Sequence, residues 1–482
     1  MKTIIILSSL GAVALLSEIL RFKKFLLPII LTGLLGAIGA AVYDWNTNIH
    51  YYHNMVTFDN YAILFTLVLC GTVLLWFLSS QSFFSADSHL TDKSSLAIFA
   101  LTGAVIILSY SNLVMLFIGI EILSIPLYVL AGSDKDNLSS NEASLKYFLM
   151  GAFASAILLF GIALIYGAAG SFDISTIGTY LTPVLPSGNE SFTSIQHLGE
   201  GNNPLLFAGI LMILAGMAFK VSAVPFHFWA PDVYEGAPTP VTAYMSSVVK
   251  TAAFAAFLRL FYTCFSSLGE VWENIVWGIA VATILLGNIT AVYQNSVKRM
   301  LAWSSIAHAG YMLIAILSMN QMSAGAVLFY AAAYSVATIA AFTVLSIIEC
   351  RKVSPEGGDL EGASFDSFTG LSKRNPLLAL AMTIAMLSLA GIPPLAGFFG
   401  KYYLFSSALQ SGYLWMVLFA VLGSLIGVYY YFRVIIAMYS KVEAEAEAEE
   451  IQVSALQRIV LIITILLSFA IGLFPDLVVR LI

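Results

Sequence analysis

The chain has 482 residues, of which 60% are hydrophobic and only 10% are charged. Soluble domains carry about 25% charged residues, so this composition predicts an integral membrane protein with the lipid bilayer as its solvent, and it excludes a soluble globular enzyme. The formal net charge is -6 and the basic residues form no patch, so nothing indicates binding to nucleic acid.

Apolar segments of about 20 residues, the length of a membrane-crossing helix, recur along the whole chain. We place them at residues 3–20, 25–43, 59–80, 94–111, 112–132, 144–168, 205–227, 239–264, 271–293, 300–318, 321–349, 376–409, 412–436 and 454–477. This pattern predicts an all-α membrane protein with about fourteen transmembrane helices in one membrane domain, 1–482. The first segment is closely followed by the second and lacks a small-residue cleavage site, which favours a membrane helix over a signal peptide.

Basic residues occur only in alternate connections between these segments. They lie at 21–24, 93, 135, 298–299, 351–374 and 441–458, whereas the connections 44–58, 169–204, 265–270 and 319–320 hold none. Because basic residues favour the cytoplasmic side, the pattern predicts that both termini face outward, towards the periplasm if the chain lies in a bacterial inner membrane.

The seventh and twelfth predicted helices are interrupted by proline. Pro225 breaks the first, and Pro393 with Pro394 breaks the second. A proline frees a backbone carbonyl, which a membrane tolerates only where protein or water can bind it. Breaks five helices apart, each beside a lysine, are typical of transporter repeats. We therefore predict two inverted five-helix repeats (helices 4–8 in 94–264 and helices 9–13 in 271–440), flanked by helices 1–3 in 1–93 and by helix 14 in 441–482.

Four ionisable residues lie deep within predicted helices: Glu121, Lys220, Lys250 and Lys401. A charged side chain at the bilayer centre costs about 2.5–3.5 kcal/mol, so such residues face the protein interior and mark ion pathways. Burial favours the neutral form of a lysine, and a nearby carboxylate favours the charged form. A lysine whose acidic partner moves is therefore a proton switch, and a row of such lysines is a proton relay.

Plainer interpretations stay open for individual residues. A static salt bridge explains one Lys–Glu pair, although three lysines against one deep acid exceed static pairing. Lys146 lies near a helix end, where its side chain can reach the interface, and His308 can serve helix packing alone. The polar stretch His227–Glu235 favours an ordered inner turn. Lys146 and His308 are therefore possible members of the relay.

Other chemistry has no support in the sequence. Cys70, Cys264 and Cys350 are widely spaced and form no CxxC or Cys/His pattern, so we expect no metal or redox centre. Neither a Walker A nor a GxGxxG nucleotide motif occurs. The acidic run EAEAEAEE at 443–450 is typical of a solvated inner loop.

Four long motifs resemble a known family. They are GMAFKVSAVPFHFWAPDVYEGAPTPVTAYMSSVVK, MLFIGIEILSIPLYVLAG, VKRMLAWSSIAHAGYML and LAGIPPLAGFFGKYYLF. They are similar to the antiporter-like subunits of respiratory complex I, which are related to Mrp-type cation/proton antiporters and membrane hydrogenases. The resemblance covers about residues 60–440, and the YEGAPTPVTAY segment and the lysine of GFFGK are most similar to the subunit N branch of type I NADH:quinone oxidoreductase.

The resemblance implies a proton-pumping subunit of a translocase, coupled to electron transfer from NADH to quinone. By motif match, Glu121 and Lys220 form the switch, Lys250 is the central lysine, and Lys401 lies on the outward path, with Lys146 and His308 as further matches. NADH, FMN, iron–sulfur clusters and the quinone site are expected in other subunits, and the partners are the other membrane subunits of the complex. The alternative is an Mrp-type Na+/H+ antiporter subunit. A third hypothesis, a purely structural membrane scaffold, requires the deep lysines to be dispensable.

Overall fold

The computed structural model describes residues 1–85, 89–181, 203–351, 364–441 and 451–476. The acidic run at 443–450 and most of the polar connection at 169–204 therefore lie outside the described residues.

Nearly all of the described chain is helical, as predicted. The helices are α1 Lys2–Leu16, α2 Leu26–Tyr43, α3 Asn60–Ser79, α4 Gln81–Ser85, α5 Leu90–Ser109, α6 Leu113–Ala131, α7 Leu138–Ala169, α8 Ile174–Leu181, α9 Pro204–Lys220, α10 Trp229–Gly236, α11 Thr239–Tyr244, α12 Lys250–Cys264, α13 Gly269–Val292, α14 Val297–Ser318, α15 Ser323–Arg351, α16 Phe365–Phe368, α17 Leu371–Arg374, α18 Pro376–Ala390, α19 Ala396–Gln410, α20 Leu414–Tyr439 and α21 Ala455–Leu473. A π-helical stretch, Met245–Val249, joins α11 to α12.

The all-α membrane architecture predicted from composition is confirmed. Within the described ranges, eleven helical segments are long and apolar enough to cross a membrane, and three shorter apolar helices accompany them: α1, α9 and α18. The count of fourteen spans and the inverted repeats stay predictions.

Side-chain caps help to set where the helices begin. The Oδ1 atom of Asn112 accepts a hydrogen bond from the backbone N–H of Val114 at 2.9 Å, and Ser454 with Gln457 forms a reciprocal capping box. Such caps bind backbone donors that the first helical turn leaves without a partner.

Both proline-containing segments interrupt their helices. Pro225 lies between α9 and α10, and the Pro393–Pro394 pair lies between α18 and α19; both the Val224–Pro225 and the Pro393–Pro394 bonds are cis. Side chains bind some of the released backbone donors, as membrane burial requires. The N–H of Val224 donates to Thr283 Oγ1 at 2.9 Å, and the N–H of Gly397 donates to Ser388 Oγ at 3.1 Å.

The segment 239–264, which carries Lys250, lies at the centre of the bundle. The most apolar 18 residues of this segment are all buried inside the protein. Of the corresponding 18 residues, 33% are buried in α7 and 39% in α20. The deep lysine of this segment is therefore surrounded by protein, while α7 and α20 present their other faces to the outside of the bundle.

A short β-hairpin on the predicted outer side was not expected from the sequence. Ile49–Tyr51 (β1) pairs antiparallel with Val56–Phe58 (β2), and Thr57 Oγ1 lies 2.5 Å from Ser111 Oγ. At the tip of the hairpin, Asn54 Nδ2 donates to Asp173 Oδ2 at 2.8 Å. Burial raises the pKa of Asp173, but this bond and those from Ser175 and Thr176 lower it below its ordinary value overall.

Candidate functional site

Lys220 is the last residue of α9, at the point where the helix breaks. A helix C-terminus carries partial negative charge, which favours a cation at this position. The side chain is buried, and its Nζ donates to Ser124 Oγ of α6 at 2.6 Å. Lys220 is therefore held by a neutral hydroxyl.

Glu121 lies one helical turn before Ser124 on α6. Its Oε1 atom is buried without a hydrogen-bond partner among the described residues, and no ion pair within 4.0 Å joins its carboxylate to Lys220 in this part of the chain. The structure thus places Lys220 against α6 one helical turn from Glu121, and the predicted salt bridge between them is not formed.

Lys250 is buried in the bundle centre, directly after the π-helical stretch. Its Nζ donates to the backbone carbonyl of Ser305 in α14 and lies 6.0 Å from the ring centre of Tyr234. Among the described residues it has no salt bridge. The central lysine, like Lys220, is bonded to a neutral acceptor.

His308 lies one turn beyond Ser305 on the same helix. Its Nδ1 is 2.5 Å from the hydroxyl of Tyr330 and its Nε2 is 2.9 Å from the hydroxyl of Tyr431, which also bonds to Ser304. Both ring nitrogens therefore have a partner that can donate or accept a proton. A neutral histidine in this setting can take a proton at one nitrogen and release one from the other.

Lys401 lies in α19, beyond the second helix break. Its Nζ donates to the carbonyl of Ala390, the last residue of α18, at 2.9 Å and to Ser424 Oγ at 2.7 Å. The broken helix thus supplies a carbonyl that an intact helix would have used itself. A small cavity lined by His308, Tyr330 and Lys401, among others, lies between the histidine and this lysine.

Lys146 does not join the other lysines. Its Nζ lies 2.6 Å from Glu142 and 2.7 Å from Asp232, and 39% of its side chain is exposed. Asp232 in turn lies 3.2 Å from Arg299, and Glu235 also bonds to that arginine. These five residues form an ion network on the predicted inner side, and we name it the inner network.

The inner network alters the acidity of Asp232. Partial burial raises the pKa of this carboxyl, but the hydrogen bond and the charge of Lys146, together with the charge of Arg299, lower it below its ordinary value overall. The carboxylate is therefore ionised and ties α10 to α7 and α14. The stretch that the sequence indicated as an inner turn contains a helix, α10, held by these ion pairs.

Comparisons with known proteins identify the family of the chain. The family model described as NADH:quinone oxidoreductase/Mrp antiporter, transmembrane, matches residues 111–427. The chain belongs to this family. NADH-quinone oxidoreductase subunit N of Cytophaga hutchinsonii is 42% identical over 481 residues, covering 100% of this chain and 99% of the relative. The same subunit of Flavobacterium johnsoniae is 43% identical over 490 residues, covering 100% of both chains.

Solved structures of the family have the same fold. A chain of respiratory complex I from Thermus thermophilus, solved with bound aureothin, matches with a TM-score of 0.82 and 32% identity, covering 99% of this chain and 98% of that chain. The resemblance drawn from the four sequence motifs is thereby confirmed.

Within this family framework, the structure adds residues that sequence reasoning missed. Ser124, Ser424, Tyr330 and Tyr431 bind the predicted lysines and histidine, yet none was a candidate. A weak signal existed for one of them, because Ser124 follows Glu121 by three residues and so shares its helix face. The other three lie on distant helices, and only the fold brings them to the site.

Within the described ranges, no group of three or more His, Cys, Asp or Glu side chains is arranged to hold a metal ion. Cys70 and Cys264 are buried and Cys350 is exposed, and none forms a disulfide.

Proposed function

We propose that this chain is a proton-translocating subunit of the membrane arm of an NADH:quinone oxidoreductase. The observation that carries the proposal is the chain of buried polar groups across the bundle: Lys220 with Ser124, Lys250 with Ser305, His308 with two tyrosines, and Lys401 with Ser424. Each lysine has neutral acceptors, so neither protonation state is fixed by a permanent counter-ion.

The switch in this proposal is the distance between Lys220 and Glu121. At 4 Å and an effective dielectric constant of about 20, an ammonium and a carboxylate attract by about 4 kcal/mol. That energy corresponds to a change of roughly three powers of ten in a protonation equilibrium, so contact with Glu121 holds a proton on Lys220. Retreat to Ser124 removes this stabilisation and favours passing the proton onward.

The proposed route runs from the inner side to the outer side. Protons enter near Lys220, pass Lys250, cross His308 and its tyrosines, and leave by Lys401. The basic residues of alternate connections support the orientation assumed here, with both termini on the outer side of a bacterial inner membrane.

The partners in this proposal are the neighbouring antiporter-like and small membrane subunits of the complex. NADH, FMN, the iron–sulfur clusters and quinone belong to other subunits, and electron transfer there drives the switch electrostatically. The names of the relatives at 42% and 43% identity support this assignment.

The test uses Lys220→Ala and Glu121→Ala in membrane vesicles containing the assembled complex. Both variants are expected to lose NADH-driven proton pumping, measured by quenching of a pH-sensitive dye. A suitable control is Lys135→Ala, an exposed inner-loop lysine, which is expected to pump normally. Full pumping by a normally assembled Lys220→Ala complex would contradict the relay.

The alternative is an Mrp-type subunit that exchanges Na+ for protons, which the description of the matching family supports. It predicts proton movement driven by a sodium gradient in vesicles without NADH. Sodium-driven exchange that survives without the redox subunits would favour this alternative.

A further inference from the structure

Beyond Lys250, the residues of α12 on the way to its outer end are buried. The next eight residues, TAAFAAFL at 251–258, are all buried, and seven of them are Ala, Phe or Leu. The first charged side chain on the helix after Lys250 is Arg259, about 13.5 Å further along the axis at about 1.5 Å per residue.

Arg259 is held firmly at this end of the bundle. Its Nη2 donates to Asp59 Oδ1 at 2.6 Å, and its guanidinium lies 4.9 Å from the ring centre of Tyr61. Only 10% of the side chain is exposed. Because an arginine stays protonated in proteins, this side chain is a fixed cation.

Two tyrosines bind backbone carbonyls of α12 close to Arg259. Tyr61 donates its hydroxyl to the carbonyl of Ala255 at 2.8 Å, and Tyr110 donates to the carbonyl of Ala256 at 2.9 Å. We name Asp59, Tyr61, Tyr110 and Arg259 the outer layer. In this layer both hydroxyl protons are engaged with backbone carbonyls, which leaves them poorly placed to carry a proton outward.

The corresponding region beyond Lys401 is different. Six residues along α19, Ser407 donates to Asn320 Oδ1 at 2.9 Å, and its Oγ lies 3.2 Å from Ser323 Oγ. Asn320 also donates to Ser411 Oγ at 3.1 Å. These neutral hydroxyl and amide groups can both donate and accept, and within the described ranges their contacts include no cation.

We propose that Arg259 is a barrier residue that stops protons on Lys250 from leaving directly along α12 and so directs them to Lys401. The inference rests on the proposed proton relay and deepens it, because it names a residue that sets the exit. The guanidinium cancels the negative charge of Asp59, which would otherwise attract a proton to this end of the helix. The apolar residues between Lys250 and Arg259 exclude the water that would carry a proton, and an arginine likewise helps to exclude protons in other pores.

The test is passive proton leak in proteoliposomes that contain the assembled complex without NADH. After an imposed pH jump, a trapped pH dye reports the leak of Arg259→Gln and of Arg259→Met, which keeps the packing over Tyr61. Removal of one positive charge at about 13.5 Å is expected to raise the leak about eightfold at an effective dielectric constant of about 20. Arg259→Lys retains the cation and is expected to leak like the unaltered complex.

Two controls separate a specific route from general damage. Lys2→Gln removes the cation of another outer-side ion pair, with Asp44 at 2.8 Å, and is expected to leave the leak unchanged. Adding Lys250→Met to Arg259→Gln is expected to abolish the extra leak, because the route then lacks its donor.

Each result has a defined meaning. An assembled Arg259→Gln or Arg259→Met complex without extra leak overturns the barrier, and so does a leak that persists in the double variant. If the relay itself is wrong, Lys250→Met alone would pump protons normally with NADH. This result distinguishes failure of the relay from failure of the barrier.

Discussion

Lys220 donates its hydrogen bond to Ser124, at 2.6 Å, and not to the carboxylate of Glu121 one turn away. In the proposed mechanism, Ser124 is therefore the partner of Lys220 in the open state of the switch. The sequence predicts a pair between Lys220 and the carboxylate of Glu121, but the observed contact is with the hydroxyl of Ser124.

We expect Ser124→Ala to slow NADH-driven pumping by about tenfold or more, because a hydrogen bond to a charged group contributes about 1.5–3 kcal/mol. Loss of this bond shifts Lys220 towards Glu121 and holds the proton there. Pumping in vesicles measures the effect. Ser144→Ala, which removes a hydroxyl bonded to the Tyr128 carbonyl at 2.8 Å, is the matched control; equal effects of the two substitutions would refute a special role for Ser124.

His308→Phe is expected to reduce pumping by about a hundredfold, the lower end of what a positioned acid–base group contributes. The phenyl ring preserves packing but breaks the bonds to Tyr330 and Tyr431. Initial pumping rates with NADH provide the measurement. Tyr402→Phe, at a largely exposed position, serves as control, and normal rates in His308→Phe would reduce the histidine to a packing residue.

Gly397→Ala is expected to destabilise the chain by about 1–3 kcal/mol, the usual cost of overpacking. An added Cβ would lie 2.6 Å from the carbonyl carbon of Ser388, within backbone that cannot easily move. Thermal unfolding in detergent detects the loss. At Gly39 a Cβ meets nothing within 4 Å, so Gly39→Ala should be neutral or stabilising; similar behaviour at both sites would contradict the close approach at the second break.

Asp232→Asn is expected to destabilise the inner network by about 1 kcal/mol or less, since partly exposed ion pairs contribute little. The folded state lowers the pKa of this carboxyl, so its contribution is present above the ordinary value of 3.8 and is lost as the pH falls through the lower folded value. Melting curves at neutral and acid pH should therefore differ from those of the unaltered chain only at neutral pH. Asp134→Asn, at an exposed inner position, should match the unaltered chain throughout; a deficit of Asp232→Asn that persisted in acid would point to a cause other than the charge.

Most of the fold was predictable because a bilayer imposes a simple rule on sequence. A span of 271–293 was expected and α13 covers Gly269–Val292, since an apolar run must be helical to bind its own backbone groups. The β-hairpin was missed because Ile49–Tyr51 and Val56–Phe58 have three residues each, too few for an alternating pattern to stand out.

The candidate site was predictable as a list of residues but not as a set of contacts. Lys220, Lys250 and Lys401 stand out because deep charge is costly. Their partners include the backbone carbonyls of Ser305 and Ala390. Every residue has a carbonyl, so no side-chain pattern identifies which one a lysine will reach. Lys146 is only a possible relay member in the sequence, and the fold places it beside Asp232.

The π-helical stretch Met245–Val249 lies immediately before Lys250. A π turn closes hydrogen bonds between residues five apart and so stores one residue more than an α turn. Passing that extra residue forward by one peptide would swing the ammonium by about 100° around the helix axis, because an α-helix has about 3.6 residues per turn. Such a shift would take the ammonium away from the Ser305 carbonyl that accepts its hydrogen bond.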